Sequence, residues 1–205
     1  MKDKRKLYFE ITILVVSIIS ILSNFIVFKS YKGLLYFTIY SNILSIIYYL
    51  ISIISYIFKF NNKCSSFKGM ILIFLISTFL IYNLYLLPSG RMHDYDNHHF
   101  VSVLIHTICP ILVIFDCLLN NPKNSFSKKD IIYWTFGLLL YGLIILIYQL
   151  LGGKFLNDSP YPYIIYDYIH YGIKGCIFMN ILVYLIFITQ SLIVIKINQI
   201  KTWRF

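Results

Sequence analysis

The stretch His98–Asn121 reads HHFVSVLIHTICPILVIFDCLLNN, and it is apolar enough to span a bilayer although it contains His106, Pro110 and Asp116. A histidine or a carboxylate at membrane depth costs several kcal/mol unless it faces protein or water. A proline inside a helix removes the hydrogen bond to the carbonyl four residues earlier, which here belongs to His106. The sequence therefore predicts a bent helix with a free backbone acceptor beside a buried titratable ring.

The composition of the whole chain indicates a membrane protein. Of its 205 residues 59% are hydrophobic and 19% aromatic, and the mean hydropathy is +0.76, values that a soluble domain of this size does not show. The formal net charge is +10. The lysines lie in loops beside apolar runs, which favours orientation against an anionic leaflet over binding to nucleic acid. We expect one compact bundle over residues 1–205, without a separate soluble domain.

The four cysteines do not have the spacing of a disulfide framework or of a zinc finger. Cys109, Cys117 and Cys176 lie in apolar runs, and Cys64 lies in a basic loop. The N-terminal apolar run is too long for the core of a signal peptide and lacks a small-residue cleavage site, so we expect it to be the first membrane helix.

Six apolar runs are long enough to cross the roughly 30 Å hydrocarbon core of a bilayer. The segments that join them are short and polar, so consecutive helices are expected to pack antiparallel. The sequence predicts an all-α, polytopic membrane protein with six transmembrane helices, near Leu7–Phe28, Leu34–Phe58, Gly69–Leu87, Phe100–Leu119, Ile131–Leu151 and Ile173–Ile195.

The lysine and arginine residues predict the orientation of the bundle. Most of the 18 lie in the N-terminus, the second loop, the fourth loop and the C-terminus. By the positive-inside rule both the N and C termini are then cytoplasmic. The third loop, Pro88–His99, and the fifth loop, Gly152–Gly172, face the exterior, and this side is called outer below. The abundance of Ile, Lys, Asn and Tyr is typical of an AT-rich bacterial genome, so we expect a multi-pass protein of the bacterial cell membrane.

With this orientation the polar residues of the spans gather in the outer half of the membrane. They are Asn24, Thr38, Ser41, Asn42, Asn83, His106, Gln149 and Asn180. On the second helix, the spacing i, i+3, i+4, i+7 forms one stripe from Thr38, Ser41, Asn42 and Ser45. Such residues usually serve helix packing, but their clustering on one side with a histidine favours a polar cavity. The inner half is expected to hold little beyond Asp116, Thr189 and Gln190.

Thr38 and His106 are the candidate catalytic residues. At about 1.5 Å rise per residue, each lies roughly 5–10 Å below the outer surface, so the two side chains can share a level. A threonine hydroxyl becomes a nucleophile when a base takes its proton, and histidine is the usual base. A pocket of low dielectric in the outer leaflet also accepts an acyl chain. A histidine that is simply hydrogen-bonded to a helix carbonyl is the open alternative.

The third loop contains side chains that bind zinc and other divalent ions. They are His93, Asp94, Asp96, His98 and His99. Their spacing fits no standard site and a solvated outer loop explains them equally well, so no metal and no cofactor is assigned.

The fifth loop leads into the last helix through two prolines. If that helix begins early, Asp167, either His170 or Tyr171, and Lys174 lie on one face. This face is either an interfacial ion pair within a belt of tyrosines or, together with Tyr161, the mouth of the cavity.

Asp116 lies ten residues beyond His106, about 15 Å along the helix axis, so the two cannot form a direct dyad. We expect a structural role near the cytoplasmic interface, with a hydrogen bond to Thr189, to Gln190 or to a nearby lysine.

The motifs of the fourth helix and the fifth loop resemble those of a known family. They are His106-Thr107-x-x-Pro110 with Asp116 further on, and Tyr161-Pro162-Tyr163 with Asp167 behind the fifth span. They look like the bacterial Pr-six-Pr membrane proteins. More distantly they resemble the eukaryotic androgen-induced / FAR-type proteins, which pair a histidine–threonine–x–x–proline helix with a tyrosine–proline–phenylalanine loop. The resemblance covers nearly the whole chain, since helix count and order agree.

The eukaryotic relatives are threonine-type hydrolases of fatty acid esters of hydroxy fatty acids. The resemblance implies Thr38 as the nucleophile and His106 as the catalytic histidine. Ser41 and Asn42 stand where the eukaryotic helix has a carboxylate, and Tyr163 stands where phenylalanine is usual. The first difference removes a charged third member of the catalytic set.

The leading hypothesis from the sequence is an integral-membrane hydrolase of lipid esters that works from the outer leaflet. In it Thr38 attacks the acyl carbonyl, and His106 acts as base and then as acid to the leaving alcohol. Ser41 and Asn42 steady the oxyanion or the histidine. The residues assigned to substrate binding are Ser41, Asn42, Asn180, Tyr161 and Asp167. The expected partners are membrane lipids and a lipid-like ester substrate, and no nucleic acid.

Two other hypotheses use the same residues. One is a non-enzymatic carrier or sensor of a lipid or small molecule, which needs the cavity but not the contact between Thr38 and His106. The other is a structural partner subunit, in which the polar residues only hold the helices together.

Overall fold

A computed structural model describes residues 2–60, 65–89 and 99–200 of the chain. Within these ranges the fold is all-α, without strands, and contains six helices long and apolar enough to cross a bilayer. The chain is therefore a multi-pass membrane protein, as predicted. The helices are α1 (Lys2–Phe28), α2 (Phe37–Ile57), α3 (Ser65–Leu86), α4 (His99–Asn120), α5 (Asp130–Leu150) and α6 (Tyr168–Ile200).

The last helix differs most from its predicted limits. Instead of Ile173–Ile195, α6 begins at Tyr168 and ends at Ile200. Its regular backbone is interrupted at Gly172, where φ is 66° and ψ is 170°. Only glycine adopts this combination without strain, so the chain can enter the membrane at a new angle there. The other five helices match the predicted runs within a few residues.

Helix α3 occupies the centre of the bundle. It packs against α2, α4, α5 and α6, while α1 packs against α2 and α4. The run Ile71–Leu75 is buried on all sides, which suits a helix that is apolar around its whole circumference. Val113, Trp134 and Phe187 complete the core around it.

The inner half of the bundle contains a buried ion pair between α3 and α4. Lys68 is 4% exposed and Asp116 is 0% exposed, and their Nζ and Oδ2 atoms lie 2.5 Å apart. The Tyr49 hydroxyl and the Asn120 amide also donate hydrogen bonds to Asp116, each at 2.8 Å. A lysine is thus the partner of Asp116, one of the three alternatives expected for it. The expectation that the lysines lie in loops was wrong for Lys68, which lies inside α3.

A second buried acid lies on α1. Glu10 accepts a hydrogen bond from the Ser52 hydroxyl at 2.9 Å and lies 3.7 Å from the Lys6 ammonium group. Together with Lys68 it shows that the inner half holds more polar side chains than the expected Asp116, Thr189 and Gln190. Acidic and basic side chains occur there because each has a charged or hydroxyl partner on a neighbouring helix or turn.

Candidate functional site

Helices α3 and α4 each contain a π-helical turn, and the two turns pack against each other. They span Tyr82–Leu86 and Leu104–Ile108. A π-helical turn places the hydrogen-bond acceptor five residues back instead of four, and such turns are frequent at functional sites. Side chains project from both turns into the outer half of the bundle.

Near Pro110, a side-chain hydrogen bond is made to the backbone carbonyl one residue before the carbonyl that was predicted to be free. An unbroken α-helix would free the carbonyl of His106. After the π-helical turn, the carbonyl that accepts a side-chain hydrogen bond is that of Ile105, from the Asn42 amide at 3.4 Å. The shift by one residue follows from the five-residue spacing of the turn.

The His106 ring is held in one tautomer. Its Nδ1 lies 2.9 Å from the carbonyl oxygen of Ser102. A carbonyl only accepts, so Nδ1 carries the proton, and the lone pair of the neutral ring is on Nε2. The histidine bonded to a helix carbonyl, left open by the sequence, is what the structure contains. This bond prepares Nε2, and not Nδ1, to act as a base.

Thr38 lies in the first turn of α2 and is half-buried. Its hydroxyl makes no hydrogen bond within the described part of the chain, whereas its backbone carbonyl accepts two. These come from the Ser41 hydroxyl at 2.9 Å and from the Asn42 amide at 2.8 Å. The backbone of Thr38 is therefore fixed while its hydroxyl is uncommitted.

Of the two roles predicted for Ser41 and Asn42, the structure does not place them for the first, contact with an oxyanion in the cavity. Both are completely buried, and neither lines the cavity described below. The Asn42 amide donates to the carbonyls of both Thr38 and Ile105, so its two hydrogens are not available to an oxyanion. Asn42 joins the start of α2 to the π-helical turn that carries His106, whereas the Ser41 hydroxyl lies 3.5 Å from the Thr78 hydroxyl on α3. The two side chains position the candidate residues without reaching a ligand.

A cavity of about 640 Å³ lies in the outer half of the bundle, and all six helices contribute to its wall. Thr38 and His106 both line it, together with Asn180 and Asn24. A cavity is thus present on this side of the bundle, and Asn180 lies on it. Its wall is mostly apolar and aromatic, with a few polar groups, instead of the broadly polar lining predicted from the sequence. Such a wall is typical of pockets for apolar ligands.

The fifth loop roofs the cavity and holds the start of α2. The hydroxyl of Tyr163 accepts a hydrogen bond from the backbone N–H of Phe37 at 2.8 Å. From α5, the Tyr141 hydroxyl donates to the carbonyl of Leu35 at 2.8 Å. These two tyrosines set the position of the residues just before Thr38. Neither tyrosine was predicted to be a site residue, although Tyr163 belongs to the Tyr161-Pro162-Tyr163 motif.

Tyr161 and Asp167 do not line the cavity. The Asp167 carboxylate accepts a hydrogen bond from the backbone N–H of His170 at 2.9 Å and so caps the start of α6. A hydrogen bond to the same carboxylate raises the pKa of the Tyr161 phenol. Because the helix is interrupted at Gly172, the predicted face of Asp167, His170 and Lys174 is not continuous. These residues shape the loop beside the cavity.

Most of the candidate metal ligands of the third loop lie outside the described residues. His99 is described, and it is exposed at the start of α4. Among residues 2–60, 65–89 and 99–200 there is no group of three histidine, cysteine or acidic side chains that could hold a metal ion.

Comparison of the chain with protein-family models, with curated proteins and with solved structures finds no match.

Proposed function

We propose that the cavity binds a lipid-like ester from the outer leaflet of a bacterial cell membrane and that Thr38 and His106 hydrolyse it. The observation that carries the proposal is that a threonine with an uncommitted hydroxyl and a histidine with its lone pair on Nε2 line one cavity. The cavity volume lies within the range of about 300–1,000 Å³ that is usual for small-molecule sites. The similarity of the motifs to the Pr-six-Pr and FAR-type proteins supports the same pair.

In the first step the Thr38 Oγ1 attacks the ester carbonyl, and its proton moves to Nε2 of His106. The resulting imidazolium is stabilised by the hydrogen bond from Nδ1 to the Ser102 carbonyl. The bond between the carbonyl carbon and the leaving oxygen then breaks. The proton on Nε2 goes to that oxygen, which releases an alcohol and leaves an acyl ester on Thr38.

In the second step water replaces the alcohol. A water molecule attacks the acyl carbon while its proton moves to Nε2 of His106. The bond to Thr38 Oγ1 breaks, and the same proton returns to the threonine. The products are a carboxylic acid and the original enzyme.

A second candidate function is binding without turnover. It is favoured by the lack of a hydrogen bond between Thr38 and His106 in the described structure. Catalysis needs that link, directly or through one water molecule, once the ester is bound, and catalytic hydrogen bonds are often long in unliganded proteins. A carrier or sensor needs only the cavity. A purely structural subunit needs no cavity of this size. The presence of the cavity therefore counts against the hypothesis of a structural partner subunit.

Ester turnover by purified protein in lipid nanodiscs separates the two functions. We expect release of the fluorophore from a 4-methylumbelliferyl acyl ester by the wild type. Thr38→Ala and His106→Ala should abolish it while retaining binding of a fluorescent acyl probe. Thr78→Ala is the matched control, because it removes a threonine hydroxyl from the same cavity wall. Saturable probe binding without turnover would support the carrier, and turnover that survives both alanine variants would contradict the proposed catalytic pair.

A further inference from the structure

The described wall of the cavity carries no formal charge at neutral pH. Its polar members are hydroxyl groups, carboxamides, tyrosine phenols and the His106 ring, and it includes no lysine, arginine, aspartate or glutamate. The buried charged residues Lys68 and Asp116 are paired with each other and lie in the inner half, away from it. Among residues 2–60, 65–89 and 99–200, the wall therefore offers no opposite charge to an ionised group that entered the cavity.

At least three atoms on the wall lack a hydrogen-bond partner among the described residues. They include the Thr38 hydroxyl, the amide nitrogen of Gln190 and the amide oxygen of Asn180. The other side-chain polar atom of Gln190 accepts from Ser77 at 2.7 Å, and that of Asn180 donates to two backbone carbonyls. The cavity thus offers a neutral donor, a neutral acceptor and a hydroxyl. This set complements ester carbonyls and alcohols.

A lysine beside the wall is already neutralised. The Lys32 ammonium group lies 2.8 Å from the Asp158 carboxylate, and these residues flank the wall residues Gly33 and Leu156. The pairing raises the pKa of Lys32 and lowers the pKa of Asp158, so both are charged at neutral pH. This lysine therefore does not supply an unpaired positive charge to an anionic head group.

We propose that the site accepts uncharged acyl esters, such as monoacylglycerols, and excludes lipids whose head group is a phosphate. This inference rests on the proposed binding of an ester in the cavity and names its substrate class. The physical reason is that an ionised group buried without a partner loses its hydration and gains only neutral hydrogen bonds. An ester with hydroxyl groups loses less hydration and finds matching donors and acceptors.

The test compares two lipids that differ only in the phosphate. Monooleoylglycerol and oleoyl lysophosphatidate each compete with a fluorescent acyl probe bound to the full-length protein in phosphatidylcholine nanodiscs. We expect the neutral lipid to displace the probe at a concentration at least about tenfold lower, the ratio given by a modest unpaired-charge penalty. Equal displacement, or better displacement by the phosphate lipid, would overturn the proposal.

Two variants show where the lipids bind. Val183→Trp and Leu138→Trp place a larger side chain in the cavity from α6 and from α5, and each should weaken displacement by the neutral lipid if binding is in the cavity.

A third variant tests the role of charge. Asp158→Asn removes the carboxylate partner of Lys32 and should narrow the difference in displacing concentration between the two lipids. Charge selectivity without ester turnover contradicts the hydrolase and leaves this inference standing. Neutral-lipid binding that is unaffected by both tryptophan variants contradicts both proposals.

Discussion

The imidazole of His106 lies face to face with the phenol ring of Tyr82, with ring centroids 4.4 Å apart and 16° between the planes. The two residues belong to the facing π-helical turns of α4 and α3. Stacking fixes the plane of the imidazole, and the bond from Nδ1 to Ser102 fixes its rotation. Next to them, Asn83 and Thr107 exchange hydrogen bonds of 3.0 and 3.2 Å. The histidine is thus oriented by contacts between two helices.

Loss of the Tyr82 ring should leave the His106 imidazole less well oriented. Tyr82→Leu is expected to lower the stability by about 1 kcal/mol, the usual contribution of an aromatic pair, and to reduce ester turnover by lowering kcat. Tyr82→Phe keeps the ring and should retain both properties. Thermal unfolding and steady-state kinetics in nanodiscs measure the two effects. Equal turnover in the leucine and phenylalanine variants would show that stacking does not orient the base.

Removing the Asn42 amide should destabilise the protein more than removing the hydroxyl of Ser45, which lies on the same face of α2. Asn42→Ala removes the hydrogen bond that joins α2 to α4 and should lower the stability by about 1 kcal/mol, with a further loss of turnover because Thr38 is displaced from His106. Ser45→Ala is the matched control, since its completely buried hydroxyl makes no hydrogen bond among the described residues. That change should be neutral or slightly stabilising. The account of Asn42 is wrong if both variants behave alike.

The buried pair of Lys68 and Asp116 should show strong coupling. Removing one charge leaves the other unpaired in the bundle, so Lys68→Met and Asp116→Asn are each expected to cost about 3–5 kcal/mol. The double variant should cost clearly less than the two single variants together. Unfolding of all four proteins in the same detergent measures the coupling. Additive losses would mean that the two side chains do not interact.

Two glycines should respond differently to an added methyl group. A Cβ at Gly69 would lie 2.8 Å from Cε2 of Trp134, whose Nε1 is bound to the Ser66 carbonyl at 2.7 Å, so the ring cannot easily move. A Cβ at Gly137 would meet the end of the flexible Met70 side chain. Gly69→Ala should therefore lower the stability by about 1–3 kcal/mol, and Gly137→Ala by much less. Measured melting temperatures decide, and a larger loss at Gly137 would contradict the packing described.

Sequence patterns that depend on nearby residues predicted the structure well. The lengths of the apolar runs predicted all six helices, because crossing a bilayer requires a minimum of apolar residues. The four-residue periodicity placed Ser41, Asn42 and Ser45 on one buried face. Pro110 marked the irregular part of α4. Its position could not reveal the π-helical turn, since that register depends on how α3 packs against α4.

Features that depend on distant partners were not predictable in the same way. Lys68 has the local sequence of a loop charge, and only the position of Asp116 on another helix makes its burial possible. The bond from Phe37 to Tyr163 joins residues far apart in the chain. Ser41 and Asn42 have hydrogen-bond donors that suit an oxyanion. In the structure these donors bind backbone carbonyls of α2 and α4 instead.

The most direct test of the central claim is covalent labelling by a lipid-like fluorophosphonate, which reacts with a hydroxyl that an adjacent base activates. We expect the purified protein to form an adduct that peptide mass spectrometry maps to Thr38, and we expect Thr38→Ala and His106→Ala to lose it. Labelling that persists in both variants, or that maps to another residue, would contradict a Thr38–His106 catalytic pair.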